Sequence, residues 1–170
     1  MKYSLHPAGM AMVCLLLAAG CGETVDPRIA ELRQALVLAS APGEETSISR
    51  IRTALQEDGA AEEVDVIIRG RITAGDFPPW EPGKAAFILT DATGHEGESD
   101  HDPWACPFCS RNIDDYLAKV RFYQNGSVID IDARELFNVT DGQLVLITGK
   151  AVIDDEDKLA VSADGMYIVP

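Results

Sequence analysis

The residues of this chain best suited to chemistry crowd into one stretch, His95-Glu-Gly-Glu-Ser-Asp-His101-Asp-Pro-Trp-Ala-Cys106-Pro-Phe-Cys109. Two of the three histidines lie there, and so do two of the four cysteines. Thiolates and imidazoles are the ligand set of Zn²⁺ or Cu⁺. Two cysteines separated by two residues can both face one ion from a tight turn, and Pro107 stiffens such a turn. His101 precedes Cys106 by five residues, close enough to fold back over the pair. His95 can complete a tetrahedron, a place that Asp100 or Asp102 could also fill. Neighbouring acids would draw in a cation and orient the imidazoles. The sequence therefore predicts a metal site made of His95, His101, Cys106 and Cys109, with zinc as the first choice and copper as the alternative. The spacing is not that of a zinc ribbon or finger.

Two other chemistries compete for the same cysteines. A Cys106–Cys109 disulfide would suit an oxidising compartment. A redox-active dithiol would need its CxxC at a helix start inside a βαβ unit, whereas the flanking segments here read as strands. Covalent haem attachment would need a histidine after the second cysteine, where Ser110 stands. No nucleophile elbow, phosphate loop or metalloprotease motif is present, so a non-enzymatic role is expected. Asp154 to Asp157 lacks the spacing of a calcium loop and reads as a solvated hairpin tip. Trp80, Trp104 and Phe108 flank these loops. They either cover one end of the fold or offer a surface to a protein partner.

Elements that must position this stretch follow from periodicity. Ile29, Leu32, Ala35, Leu36 and Ala39 fall on one helix face between Arg28 and Ser40, although the tail Ala35-Leu-Val-Leu-Ala39 could also form a strand. Pro42-Gly43 breaks that segment. Thr46 or Ser47 caps a second helix carrying Ile48, Ile51 and Leu55 on one side, with Gly59 past its end. From Val64 the pattern turns to strands: Val64–Thr73, Ala85–Thr90, Ala118–Tyr123, Ser127–Ile131, Leu144–Ile153 and Leu159–Val169. Asn125-Gly126 is a hairpin signal. Gly70 interrupts a strand, where a bulge or sharp bend is expected, and Gly149 lies inside another strand. Ala133–Asn138 suits a short helix. Residues 94–112 form a long polar insertion.

Strand, strand, strand, short helix, strand, strand is the order of a five-stranded OB barrel. Val66-Ile-Ile-Arg-Gly-Arg-Ile72, Ala86-Phe-Ile-Leu-Thr-Asp91, Gly142-Gln-Leu-Val-Leu-Ile-Thr-Gly149 and Lys158-Leu-Ala-Val161 resemble the strand signatures of OB-fold domains. The resemblance covers roughly residues 63–169 and implies a mainly β, OB-fold-like barrel behind one or two short N-terminal helices. It implies no particular activity, because that fold serves many functions.

The N-terminus carries its own signal. Lys2, an apolar run from Gly9 to Ala19, and then Ala18-Ala19-Gly20-Cys21 describe a secretory signal. The run is about half of what spans a bilayer. Small residues before Cys21 resemble a lipobox, with Ala18 where that family prefers Leu. Residues 1–20 are expected to be removed and Cys21 to carry lipid, followed by a tether over 21–27, a helical segment over 28–62 and the OB-fold-like domain over 63–170. The whole chain resembles bacterial envelope lipoproteins with such a domain. That implies an extracytoplasmic, membrane-anchored protein, at the outer membrane in cells with two membranes because Asp is absent after Cys21.

The charge balance limits the partners. Fourteen basic residues face 28 acidic ones, a formal net charge of −14, and loss of Lys2 makes it one unit more negative. Nucleic acid is disfavoured, because phosphate contacts need Lys and Arg. Adhesion to anionic lipid heads is disfavoured too, so contact with the membrane is expected only through the lipid anchor. An envelope protein partner and an affinity for cations remain. About 150 residues suffice for one core.

Overall fold

The structure is a computed structural model and describes residues 26–57, 61–93 and 101–170. Cys21, His95 and Asp100 fall outside those residues, and with them the signal peptide and the tether up to residue 25.

Helix α1 spans Arg28–Leu36 and buries Ile29 and Leu32. Helix α2 spans Ile48–Gln56, capped by Ser47, whose side chain accepts the Arg50 N–H. A capping hydroxyl followed by Ile48 and Ile51 on one face explains both its start and its docking. Strands β1 (Val64–Ile72), β2 (Ala86–Asp91), β3 (Leu117–Gln124), β4 (Ser127–Val128), β5 (Leu144–Ile153) and β6 (Leu159–Ile168) follow, with α3 (Ala133–Phe137) between β4 and β5.

Five strands close into a ring. β1 pairs antiparallel with β2 and with β5. β2 pairs antiparallel with β3. β3 pairs parallel with β6, and β6 antiparallel with β5. Closure leaves these strands few unpaired edges. β4 hangs on β3 alone through Tyr123 and Gln124. It is shorter than the expected Ser127–Ile131, because Ile129 turns to hydrogen-bond with Phe122 and Ala85 and then leads into α3. The first helix likewise ends at Leu36, and Val37 bridges to Met166 instead.

Alternation fills the ring. Along β3, Ala118, Val120 and Phe122 point inward and are buried, while Lys119 and Arg121 point out. Phe122 lies 4.6 Å from Phe137 between ring centroids, so α3 packs its aromatic residue onto the core. No bulge breaks the β1–β5 ladder at Gly70; the pairing runs from Val64 to Arg71. The irregularity lies at Thr148/Gly149. There Gly149 adopts φ +154°, and a Cβ would stand 2.3 Å from the Ser162 carbonyl oxygen. Only glycine fits that approach.

Candidate metal centre

The loop from β2 to β3 is held at both ends. At its start, the buried carboxylate of Asp91 accepts the Ile48 N–H at 2.8 Å and the Thr93 N–H at 2.8 Å, with a third bond from the Thr93 hydroxyl. The end of β2, the loop start and the first turn of α2 thus share one carboxylate. Burial pushes the Asp91 pKa up, against the lowering effect of those donors. At the far end, a 3-10 helix over Cys109–Tyr116, kinked at Asn112, leads into β3. Its acids are tied to neighbouring elements: Asp114 lies 2.5 Å from Lys158 Nζ, and Asp115 lies 3.1 Å from the guanidinium of Arg52 on α2. The sequence reading places Cys109 to Asn112 in the polar insertion and expects no helix over 109–116.

Between those ends, the turn is pinned from the side by Trp104. Its indole N–H donates to Thr90 Oγ1 at 3.1 Å, and the Thr90 hydroxyl donates to the Thr73 carbonyl at 2.8 Å. The ring lies over Gly75, which has φ +63°; a Cβ there would sit 2.8 Å from the indole. The Asp102 side chain accepts the Trp104 N–H at 2.9 Å, and its carbonyl accepts the Cys106 N–H at 3.1 Å. Asp102 therefore shapes the turn that precedes the cysteines.

His101, Cys106 and Cys109 converge. Their ligand atoms all lie within 4.8 Å of one another. His101 Nε2 is 3.3 Å from Cys109 Sγ. Two such ligands on one tetrahedral Zn²⁺ would stand about 3.6 Å apart, given bonds of ~2.0–2.1 Å to nitrogen and ~2.3 Å to sulfur. The three-residue group thus has nearly the spacing that one ion requires. Both cysteines are free thiols.

The two thiols have different surroundings. Cys109 is 2% exposed, whereas Cys106 is half-buried. N–H groups of Cys109 and Phe108, together with the Cys109 thiol, lower the Cys106 pKa. Burial pushes the Cys109 thiol up, despite a hydrogen bond from Tyr116. Tyr116 is pushed up to about 12, first by that bond to Cys109 and then by burial. Nothing in the sequence singled out Tyr116. It closes the kinked helix that Cys109 opens, and the fold alone makes them neighbours.

The three aromatic residues named from sequence take different places. Trp80 packs edge-on against Phe87 at 6.0 Å and lies 5.7 Å from the Arg134 guanidinium carbon. Trp104 covers Gly75. Phe108, inside the CxxC turn, is 79% exposed. Among the described residues, no helix is long and apolar enough to cross a membrane.

No family model matches this chain, and no curated protein matches it. Among solved structures, an aspartyl tRNA synthetase from Entamoeba histolytica is similar at 12% identity and a TM-score of 0.46, over 98% of this chain and 28% of that one. The chain thus spans under a third of that structure's length. What the fold and the site define is a mainly β chain with a closed ring of five strands and a His/Cys/Cys cluster placed to hold a metal ion.

Proposed function

We propose that this chain is an extracytoplasmic, lipid-anchored module of OB-fold type that binds a transition metal, zinc foremost, without catalysing a reaction. The observation that carries this is the convergence of His101, Cys106 and Cys109 within 4.8 Å of one another. The OB-type reading is supported by the ring order β1-β2-β3-β6-β5, with a parallel β3–β6 pairing and α3 ahead of β5. His95 remains the sequence's candidate for a fourth ligand.

Charge favours zinc over copper. Two thiolates and an imidazole around Zn²⁺ sum to zero, while the same set around Cu⁺ leaves one negative charge. The Cys109 side is buried, where an uncompensated charge is costly, and the chain is already strongly acidic.

A nucleic-acid partner finds little support. Several outward basic side chains face acids: Arg69 with Glu45 at 3.3 Å, Lys119 with Asp154 at 2.9 Å, Arg121 with Glu81 at 3.6 Å and Lys150 with Glu63 at 2.6 Å. The anchor rests on the Cys21 motif, and an envelope protein partner on the exposure of Phe108.

The test is elemental analysis of the mature protein purified under reducing conditions. One zinc per chain is expected, with loss in a Cys106→Ser variant. A metal content near zero that the variant leaves unchanged sinks the metal reading. Thiol counting before and after reduction would then reveal a disulfide, and insulin reduction would reveal a dithiol enzyme. Metabolic labelling with palmitate, abolished by Cys21→Ser, checks the anchor separately.

A further inference from the structure

We infer that the two cysteines divide the work at this site: Cys109 is the anchoring ligand and Cys106 is the ligand through which the ion enters and leaves. The inference rests on the metal reading above and adds a path to it.

The geometry is asymmetric. Cys109 is 2% exposed and lies 3.3 Å from His101 Nε2. It opens a helix whose far end is fixed by Arg52 and Lys158. To move its sulfur, that helix would have to move. Cys106 sits in the turn before this helix, half-buried, with exposed Pro107 and Phe108 following it. It is the more accessible of the two thiols, and it lies in the turn rather than in β2 or β3.

Ligand substitution at zinc exploits such a difference, since the ion accepts a fifth ligand transiently. An incoming thiolate, imidazole or chelator nitrogen bonds to the ion on the open side. The Zn–S bond to Cys106 breaks, and its sulfur leaves as a thiolate that takes a proton from water. His101 and Cys109 still hold the ion until the acceptor takes it. No electrons change hands. A closed structural site would instead release its ion only when the loop unfolds, at a rate blind to the acceptor.

The experiment uses the zinc-loaded mature protein in reducing buffer with 4-(2-pyridylazo)resorcinol as a coloured acceptor. The transfer rate is expected to rise in proportion to acceptor concentration. A rate independent of acceptor overturns the inference. A second measurement needs no metal: iodoacetamide alkylation of the apo-protein, read by peptide mass spectrometry. Cys106 should react at least about tenfold faster than Cys109, because reaction follows access as well as thiolate character. Equal rates for the two thiols count against the division of labour. If the wild-type protein takes up no zinc, the proposed function fails, and the alkylation ratio still decides whether the thiols are unequal.

Discussion

Trp104 and Thr90 are joined by a single hydrogen bond, indole N–H to hydroxyl oxygen at 3.1 Å, and that bond fastens the cysteine turn to the wall of the ring. Thr90 is 2% exposed and donates its own hydroxyl hydrogen bond to the Thr73 carbonyl. The loop carrying the candidate ligands is therefore docked on a satisfied, buried hydroxyl. Docking of this kind reduces the ordering a metal ion would otherwise have to impose.

Trp104→Phe should keep the ring over Gly75 and lose the N–H. The expected cost is about 1 kcal/mol, the usual net worth of one hydrogen bond, with a several-fold weaker zinc affinity. Urea unfolding and a competitive zinc titration measure the two separately. An affinity unchanged while stability falls would show that the turn holds its shape without the strand.

Gly75→Ala tests the other side of the same contact. A Cβ would meet the indole at 2.8 Å, on a backbone with φ +63°. Both the clash and the left-handed conformation oppose it, so a loss above about 1 kcal/mol is expected. A loss of that size with unchanged indole fluorescence would mean that the backbone, not Trp104, carries the penalty.

Asp91 joins β2 to α2, and its removal strands two N–H donors, those of Ile48 and Thr93. At about 1–3 kcal/mol for each unsatisfied buried group, Asp91→Ala should cost roughly 3 kcal/mol. Asp91→Asn should cost less, because an amide oxygen can still accept. Burial raises the Asp91 pKa above 3.8, so the native state holds its proton more tightly than the unfolded chain. Its contribution to stability is then largest in acid and declines as pH rises above about 4. The deficit of the Asn variant should therefore shrink from pH 4 to pH 7 in denaturant titrations. A deficit that grows over that range would contradict a raised pKa.

Much of the strand framework was legible because burial alternates at a period of two. Leu144–Ile153 was read with its observed bounds, and the other four ring strands to within a residue or so at each end. The cap of α2 was legible to within one residue, as Thr46 or Ser47, because capping is local. So was the grouping of His101, Cys106 and Cys109, which lie within nine residues of one another. Tyr116, Thr90, Gly75 and Arg52 were not legible. Their roles depend on which strand passes beside which loop, and their sequence separations carry no periodic signal. β4 was over-read for a related reason: Ser127–Ile131 alternates like a strand, but only two of its residues pair with β3.

Asp132 supplies a pH dependence of the opposite sign. It caps α3, accepting the Arg134 N–H at 3.0 Å, and its carboxylate also holds the Arg134 guanidinium. Those bonds lower its pKa from 3.8 to about 2. A depressed native pKa stabilises the fold above the unfolded value and loses that effect as pH falls toward the native one. Asp132→Ala should thus cost about 1 kcal/mol at neutral pH, as for other helix caps. Its deficit should fade between pH 4 and pH 2 in thermal unfolding. A deficit that stays constant to pH 2 would mean that the methylene packing of Asp132, not its charge, is what the variant loses.

Zinc affinity itself should depend steeply on pH, because both thiols must shed protons to bind the ion. Below the pKa of both cysteines, each unit of acidification adds two competing protons, so the apparent affinity should fall by up to about a hundredfold per unit. The hydrogen bonds that lower the Cys106 pKa ease its share of that competition, while burial of Cys109 works against it. Fast ligand exchange on one side and tight thiolate binding on the other then share one origin, the unequal burial of the pair. Competition titrations at pH 6, 7 and 8 give the slope, and calorimetry in buffers of different ionisation heat counts the protons released. Two protons released per zinc identify the dithiolate. Release near zero, with affinity flat across that range, would place the ion on carboxylates such as Asp102 and leave the cysteines without a metal.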